Sequence, residues 1–185
     1  MRYDGIVIGG GAAGMFAAIT AAKRGQKVLL LERNDRLGRK LLITGKGRCN
    51  VTSDSDVREF LPYVRHNGRF LYSSLYAFPP AATMQLFEEL GVPLKTERGR
   101  RVFPQSDRAA DVLAALRDYA RDAEFVRGSA KKLLLEDGVC KGTVTDRARH
   151  CGQRTPSSPP AASATRPPAA TAAATSWHGR RGIPS

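Results

Sequence analysis

Gly9, Gly11 and Gly14 stand between two short apolar runs, and no other feature of this 185-residue sequence restricts its fold so sharply. Tyr3–Ile8 is apolar with β-branched residues and reads as a buried strand. Met15–Arg24 is alanine-rich, with Phe16 and Ile19 on a helical period, and Gly25 stops it. Lys27–Leu31 is a second buried strand, ending at Glu32. Strand, helix and strand within roughly 30 residues make a βαβ unit, and strands joined that way run parallel.

The glycines fit G-x-G-x-x-G, and each has a mechanical reason. Gly9 makes the tight turn, Gly11 lets a pyrophosphate approach the backbone, and Gly14 lets helix and strand pack closely. The turn from Gly11 through Ala12 and Ala13 then offers N–H donors and the positive end of a helix dipole to phosphates. Glu32 lies 18 residues past Gly14, at the end of the second strand. An acid there accepts a hydrogen bond from a ribose 2′-OH and disfavours a 2′-phosphate. The glycine pattern alone is a weak signal. A strand before it, a helix after it and an acid at the next strand end predict an α/β dinucleotide-binding domain rather than a merely structural turn.

Arg33–Ser53 has no period and is rich in Gly, Arg and Lys. Its segment GRKLLITGKGRCNVTS, from Gly38 to Ser53, places cations, glycines and hydroxyls just after the acid. Backbone N–H groups and Arg donors in such a loop can wrap a polyphosphate or a flavin edge. A charge run is ordinarily a solvated surface loop. The Gly45-Lys46-Gly47 spacing, the Arg48-Cys49-Asn50 triplet and the position after Glu32 argue for a ligand instead. The loop is not a Walker A motif, because the G-x-x-x-x-G-K-[ST] pattern is absent.

Further along, Val57–Leu61 and Arg69–Tyr76 read as short helices, and Pro80–Leu90 as a helix with Pro near its start and Gly91 at its stop. Leu94–Glu97 and Arg101–Phe103 are short strands around Gly99. Asp107–Asp122 is an amphipathic helix with Val112, Leu113, Leu116 and Tyr119 on one face. Glu124–Val126 reads as a strand. Ala130–Glu136 and Val139–Thr145, split by Asp137-Gly138, form a hairpin. Cys140 alternates within that hairpin and is expected in the core, while Cys49 is expected as a small residue packed in a tight loop. Tyr72, Tyr76 and Phe78 could line a cavity, but their helical spacing favours core. Neither a metal constellation nor a Ser/His/Asp set is legible, so no metal ligand and no catalytic residue is named.

Charge divides the chain. Residues 1–146 hold 24 basic and all 17 acidic residues, whereas 147–185 hold six arginines and no acid. That last stretch carries six of the 11 prolines and is dominated by Ala, Pro, Ser and Thr, so it is expected to be disordered. The expected boundary is therefore a folded 1–146 and a low-complexity 147–185. A transmembrane helix is excluded by the lack of an apolar run of about 18 residues. Asp4 argues against a secretory signal, and three scattered cysteines argue against a disulfide framework, so a cytoplasmic compartment is expected.

The glycine turn, Glu32 and the 38–53 loop together resemble the bacterial FAD-dependent flavoproteins of the NAD(P)/FAD-dependent, aminoacetone-oxidase-like family, in which a flavoprotein of bile-acid dehydroxylation is also placed. Gly99-Arg100-Arg101-Val102-Phe103-Pro104 and the helix after Ser106-Asp107 extend the resemblance, which covers about residues 1–146. It implies a partial Rossmann-like FAD-binding domain with a β-meander insertion containing the 130–145 hairpin. It also implies FAD with its pyrophosphate on Gly11–Ala13 beside Gly9 and Gly14. The adenosine ribose would lie on Glu32, next to Arg33. Part of the cofactor would lie against Gly38, Arg39, Lys40 and Gly45–Asn50, including Gly47, Arg48 and Cys49. Hydride transfer at the flavin, a small-molecule substrate and NAD(P)H or oxygen as second partner follow from the same resemblance.

Family members are more than twice this length, and after the meander they carry a strand ending in an ATGG-type turn, then S-Y-P and T-G elements. None of these is legible in the tail. Yet the codons of Arg154–Ala170, read one base out of register with permitted third bases, give A-D-A-V-I-A-T-G-G-V-S-Y-P-A-T-G-S. A frameshift between about Asp146 and Arg154 is therefore expected. It makes a second reading concrete: a truncated remnant unable to close its flavin site, with the strand beside Tyr3–Ile8 missing and an apolar edge exposed. A third reading, a basic nucleic-acid-binding module, is weak, because the tail arginines lack aromatic interleaving.

Overall fold

The computed structural model describes residues 2–146 and the backbone of 150–153. In chain order the elements are β1 (Arg2–Tyr3), β2 (Gly5–Ile8), α1 (Ala12–Lys23), β3 (Val28–Glu32), β4 (Thr52–Ser53), α2 (Val57–Phe60), α3 (Tyr72–Ala77) and α4 (Pro80–Glu89). There follow β5 (Leu94–Glu97), β6 (Arg101–Pro104), α5 (Ala109–Tyr119), β7 (Glu124–Arg127), β8 (Ala130–Glu136), β9 (Val139–Thr145) and β10 (His150–Gln153). Between β3 and β4 the chain makes 3-10 turns over Leu41–Gly47.

The βαβ unit forms as the sequence dictates. β2, β3 and β7 make a parallel sheet in that order, with Gly5 opposite Val28, Ile8 opposite Leu31 and Leu29 opposite Glu124. All of β3 is buried, and its side chains alternate between two apolar clusters. Val28 and Leu30 join Met15, Ala18 and Ile19 of α1 and Val112, Leu113 and Leu116 of α5. Leu29 and Leu31 pack on the opposite face with Tyr3, Ile6 and Val126. Burying each such side chain stabilises the fold by roughly 1.5–3 kcal/mol before entropy is counted. Glu32 shares the parity of Val28 and Leu30, so the strand delivers its carboxylate to the side on which α1 starts.

A second sheet runs β1-β10-β9-β8, with β1 parallel to β10 and the rest antiparallel. The β8–β9 hairpin has the bounds expected from sequence. Asp137 (φ 51°) and Gly138 (φ 76°) supply the two left-handed residues that a tight two-residue turn requires. A third sheet, β4-β6-β5, pairs Thr52 with Val102 and Thr96 with Val102 across its two edges.

Several expectations need correction. The apolar run Tyr3–Ile8 is two strands in two sheets, broken at Asp4, whose carboxylate accepts from Lys27 N at 2.9 Å and whose N–H donates to Lys27 O at 2.8 Å. α1 starts at Ala12 rather than Met15, because two alanines extend a helix readily once Gly11 caps it. Beyond Asp146, the backbone of His150–Gln153 forms β10, which pairs with both β1 and β9. The strand expected to be missing beside Tyr3 is thus partly supplied by Gly152 and Gln153. Among the described residues no strand pairs with the outer edge of β2, and Ile8 there is exposed. Cys140 is exposed rather than core, and Tyr72, Tyr76 and Phe78 are exposed as well. The rest of the expected tail, 147–149 and 154–185, lies outside the described residues. Among the described residues no helix is long and apolar enough to cross a membrane.

Candidate functional site

Gly10 is the junction of the site, and sequence reasoning passed over it. Its N–H donates to Glu32 Oε2 at 2.6 Å, and its carbonyl accepts from Gly38 N at 2.7 Å. A Cβ at Gly10 would lie 2.2 Å from a Leu37 methyl and 3.1 Å from Glu32 Cβ. Only glycine lets the turn, the acid and the following loop meet there. The signal was the third glycine in Gly9-Gly10-Gly11, one more than the dinucleotide pattern needs.

The other turn glycines differ in the space around them. Gly9 has φ +106° and donates to Leu31 O at 2.8 Å. A Cβ at Gly14 would stand 1.8 Å from Gly9 O, so close packing of helix on turn excludes any side chain there. Gly11 and Ala13 are exposed, Ala12 is half-buried, and a Cβ at Gly11 meets nothing within 4 Å. No side chain caps α1, so its first-turn amides lack a side-chain acceptor and can serve an anion.

Glu32, only 8% exposed, uses both oxygens. Besides Gly10 N on Oε2, its Oε1 accepts from Asn34 N at 2.8 Å and Asn34 Nδ2 at 2.6 Å. Burial opposes ionisation, but these hydrogen bonds and the Arg33 charge outweigh it and hold the carboxyl below its ordinary value. Asn34 Oδ1 in turn accepts from Arg39 NH1 at 3.4 Å. Arg33, Arg39 and Lys40 are exposed around this group.

The 38–50 loop divides. Gly38 (φ +64°) is buried, with Leu113 filling the space of its missing side chain, and it belongs to the glycine-turn junction. Gly45–Asn50 is instead anchored on β6. A Cβ at Gly45 would meet the Phe103 ring at 2.9 Å, and Asn50 turns its amide nitrogen toward the carbonyls of Thr52 and Val102. Gly45, Lys46, Gly47 and Cys49 all have positive φ. Cys49 N donates to Thr44 O at 3.0 Å, and burial pushes the Cys49 thiol up, which suits packing and not redox chemistry.

Arg48 is held within its own chain by ion pairs and a ring contact. Its NH1 donates to Glu97 at 2.8 Å and to Asp107 at 3.3 Å, and its guanidinium lies 4.1 Å from the Phe103 ring centroid. Lys95 completes the group by donating to Asp107 at 2.6 Å, which holds that carboxyl below its ordinary value. Two carboxylates of its own chain thus fix where this cation stands.

A parallel βαβ unit that opens a helix on bare amides, with a strand-end acid bonded into the turn, defines a Rossmann-type nucleotide-binding domain. The chain belongs to the family described as the HI0933-like protein Rossmann domain, which it matches over residues 3–134. It is 38% identical over 112 residues to the 3-dehydro-bile acid delta(4,6)-reductase of Clostridium scindens, covering 60% of this chain and 27% of that protein. It is also 38% identical over 91 residues to the ribosomal RNA dihydrouridine synthase of Escherichia coli, covering 49% and 22%. The chain thus spans about a quarter of the length of these curated relatives. Among solved structures, the 3-ketosteroid-delta4-(5alpha)-dehydrogenase of Rhodococcus jostii superposes with a TM-score of 0.61 at 17% identity, over 83% of this chain and 44% of that one. At that identity the likeness is one of fold. The family is one of FAD-binding oxidoreductases, and this chain corresponds to their N-terminal region.

Proposed function

We propose that this chain holds the adenosine diphosphate half of FAD as the N-terminal unit of an oxidoreductase acting on a small molecule, with NAD(P)H or oxygen as the second partner, in the cytoplasm. The observation that carries the reading is the Gly10 junction, which fixes the open Gly11 turn and the ionised Glu32 side by side. The bare amides of Ala12, Ala13 and Gly14 would hold the diphosphate, with Gly9 shaping the turn. Glu32 would hold the ribose, and Arg33, Arg39 and Lys40 would screen the phosphate charge. Gly38 would position this group, and Gly45, Gly47, Arg48, Cys49 and Asn50 would form the wall behind it. When bound, FAD supplies hydride-transfer chemistry; the residues of this chain bind and orient it.

A second reading is favoured by one observation: among the described residues no strand pairs with the outer edge of β2. In it the chain is a remnant that grips the nucleotide but does not turn over. The out-of-register tail codons supply its cause, a frameshift between about Asp146 and Arg154, with 147–185 an out-of-frame tail from that point. Mixing the FAD-loaded chain anaerobically with NADH or NADPH separates the two. Loss of the oxidised-flavin absorbance supports the oxidoreductase, and bound flavin that stays oxidised supports the remnant. Sequencing the gene across codons 146–154 tests the frameshift: a register change against the flanking codon bias is expected, and uniform codon bias through the tail would refute it.

A further inference from the structure

We propose that Asn34 is the positioning residue that fixes the Glu32 carboxylate as a ribose acceptor; this rests on the dinucleotide reading above. Asn34 lies two residues beyond the strand end and reaches back, giving Glu32 Oε1 one hydrogen bond from its backbone (2.8 Å) and one from its side chain (2.6 Å). Gly10 N occupies Oε2 from the opposite side at 2.6 Å. An ionised carboxylate has about four acceptor positions. Three are filled by groups that also prevent rotation, and the remaining one suits a single sugar hydroxyl. Asn34 Oδ1 accepts from Arg39, so the same amide ties the acid to a cation of the following loop.

The charged groups acting on this carboxylate are Arg33, directly, and Arg39, through Asn34. Arg33 and the donated hydrogen bonds favour ionisation against the opposing effect of burial, and hold the carboxyl below its ordinary value. Removing the Asn34 side chain deletes one donor and frees the carboxylate to turn. Replacing it with Asp sets an acceptor and a second negative charge against Glu32.

The test compares FAD with the analogue whose adenosine ribose lacks the 2′-hydroxyl, bound to the full chain as wild type, Asn34→Ala and Asn34→Asp. The wild type is expected to prefer FAD by about tenfold, the worth of one hydrogen bond to a charged group, and both variants to lose that preference. A ratio of affinities is insensitive to a misfolded fraction, which lowers both alike. The acidic limb of FAD binding is also expected at higher pH in Asn34→Ala, and higher still in Asn34→Asp. Undiminished preference together with an unmoved acidic limb in Asn34→Ala overturns the assignment of Asn34 alone. Failure of the wild type to bind FAD overturns the dinucleotide reading, and this inference with it.

Discussion

A methyl group added at Gly14 would sit 1.8 Å from Gly9 O, whereas one added at Gly11 meets nothing within 4 Å. The two glycines of one motif therefore serve different ends. Gly14→Ala is expected to destabilise the chain by about 1–3 kcal/mol in urea unfolding, as overpacking does. Gly11→Ala is expected to change stability by less than about 1 kcal/mol but to weaken FAD binding, because its methyl occupies the approach of the diphosphate. Equal stability losses in the two variants would contradict this division. Glu32 adds a pH dependence. Its folded-state value lies below the ordinary one, so the unfolded chain binds more protons in that window. The stability it contributes is present above the ordinary carboxylate value and is lost as pH falls through the lowered one. Unfolding curves measured from neutral pH down to about pH 3 should show a shallower decline in Glu32→Gln than in wild type.

At the scale of elements, the parts legible in the sequence were those fixed by local chemistry. Asp137-Gly138 set the β8–β9 hairpin, and the spacing of Val112, Leu113 and Leu116 set the buried face of α5. That the glycine turn and Glu32 meet was legible because strand, helix and acid follow one another within the first 32 residues. The ion pairs of Arg48 were not, because its partners Glu97 and Asp107 lie 49 and 59 residues away. A cation in a glycine loop looks the same in sequence whether it meets a phosphate or a distant carboxylate. Its consequence is measurable. Arg48→Ala should lower the melting temperature and speed hydrogen exchange at the Arg48 and Cys49 amides, which bond to Gly45 O and Thr44 O. Unchanged exchange at those amides would show that the loop holds its shape without the ion pairs. The break at Asp4 escaped for a related reason: the sheet chosen by Tyr3 depends on β10, at the far end of the described chain.

At the scale of the whole molecule, the described residues leave apolar surface exposed. Ile8 ends a strand edge that no strand among the described residues pairs, and Leu133, Leu135 and Val139 stand out of the hairpin at 49%, 64% and 53% exposure. Such an edge and patch invite association with other chains. Light scattering should rise with protein concentration, and Leu135→Lys should reduce it without lowering the melting temperature; scattering indifferent to that substitution would place the association elsewhere. The central claim, that the Gly10 junction builds a working dinucleotide cradle, is tested most directly by gel filtration of the chain mixed with FAD, recorded across the visible spectrum. Flavin absorbance travelling with the protein peak, and absent from that peak in Gly11→Ala, is the predicted result. A colourless protein peak, with all the flavin emerging later as free FAD, would contradict it.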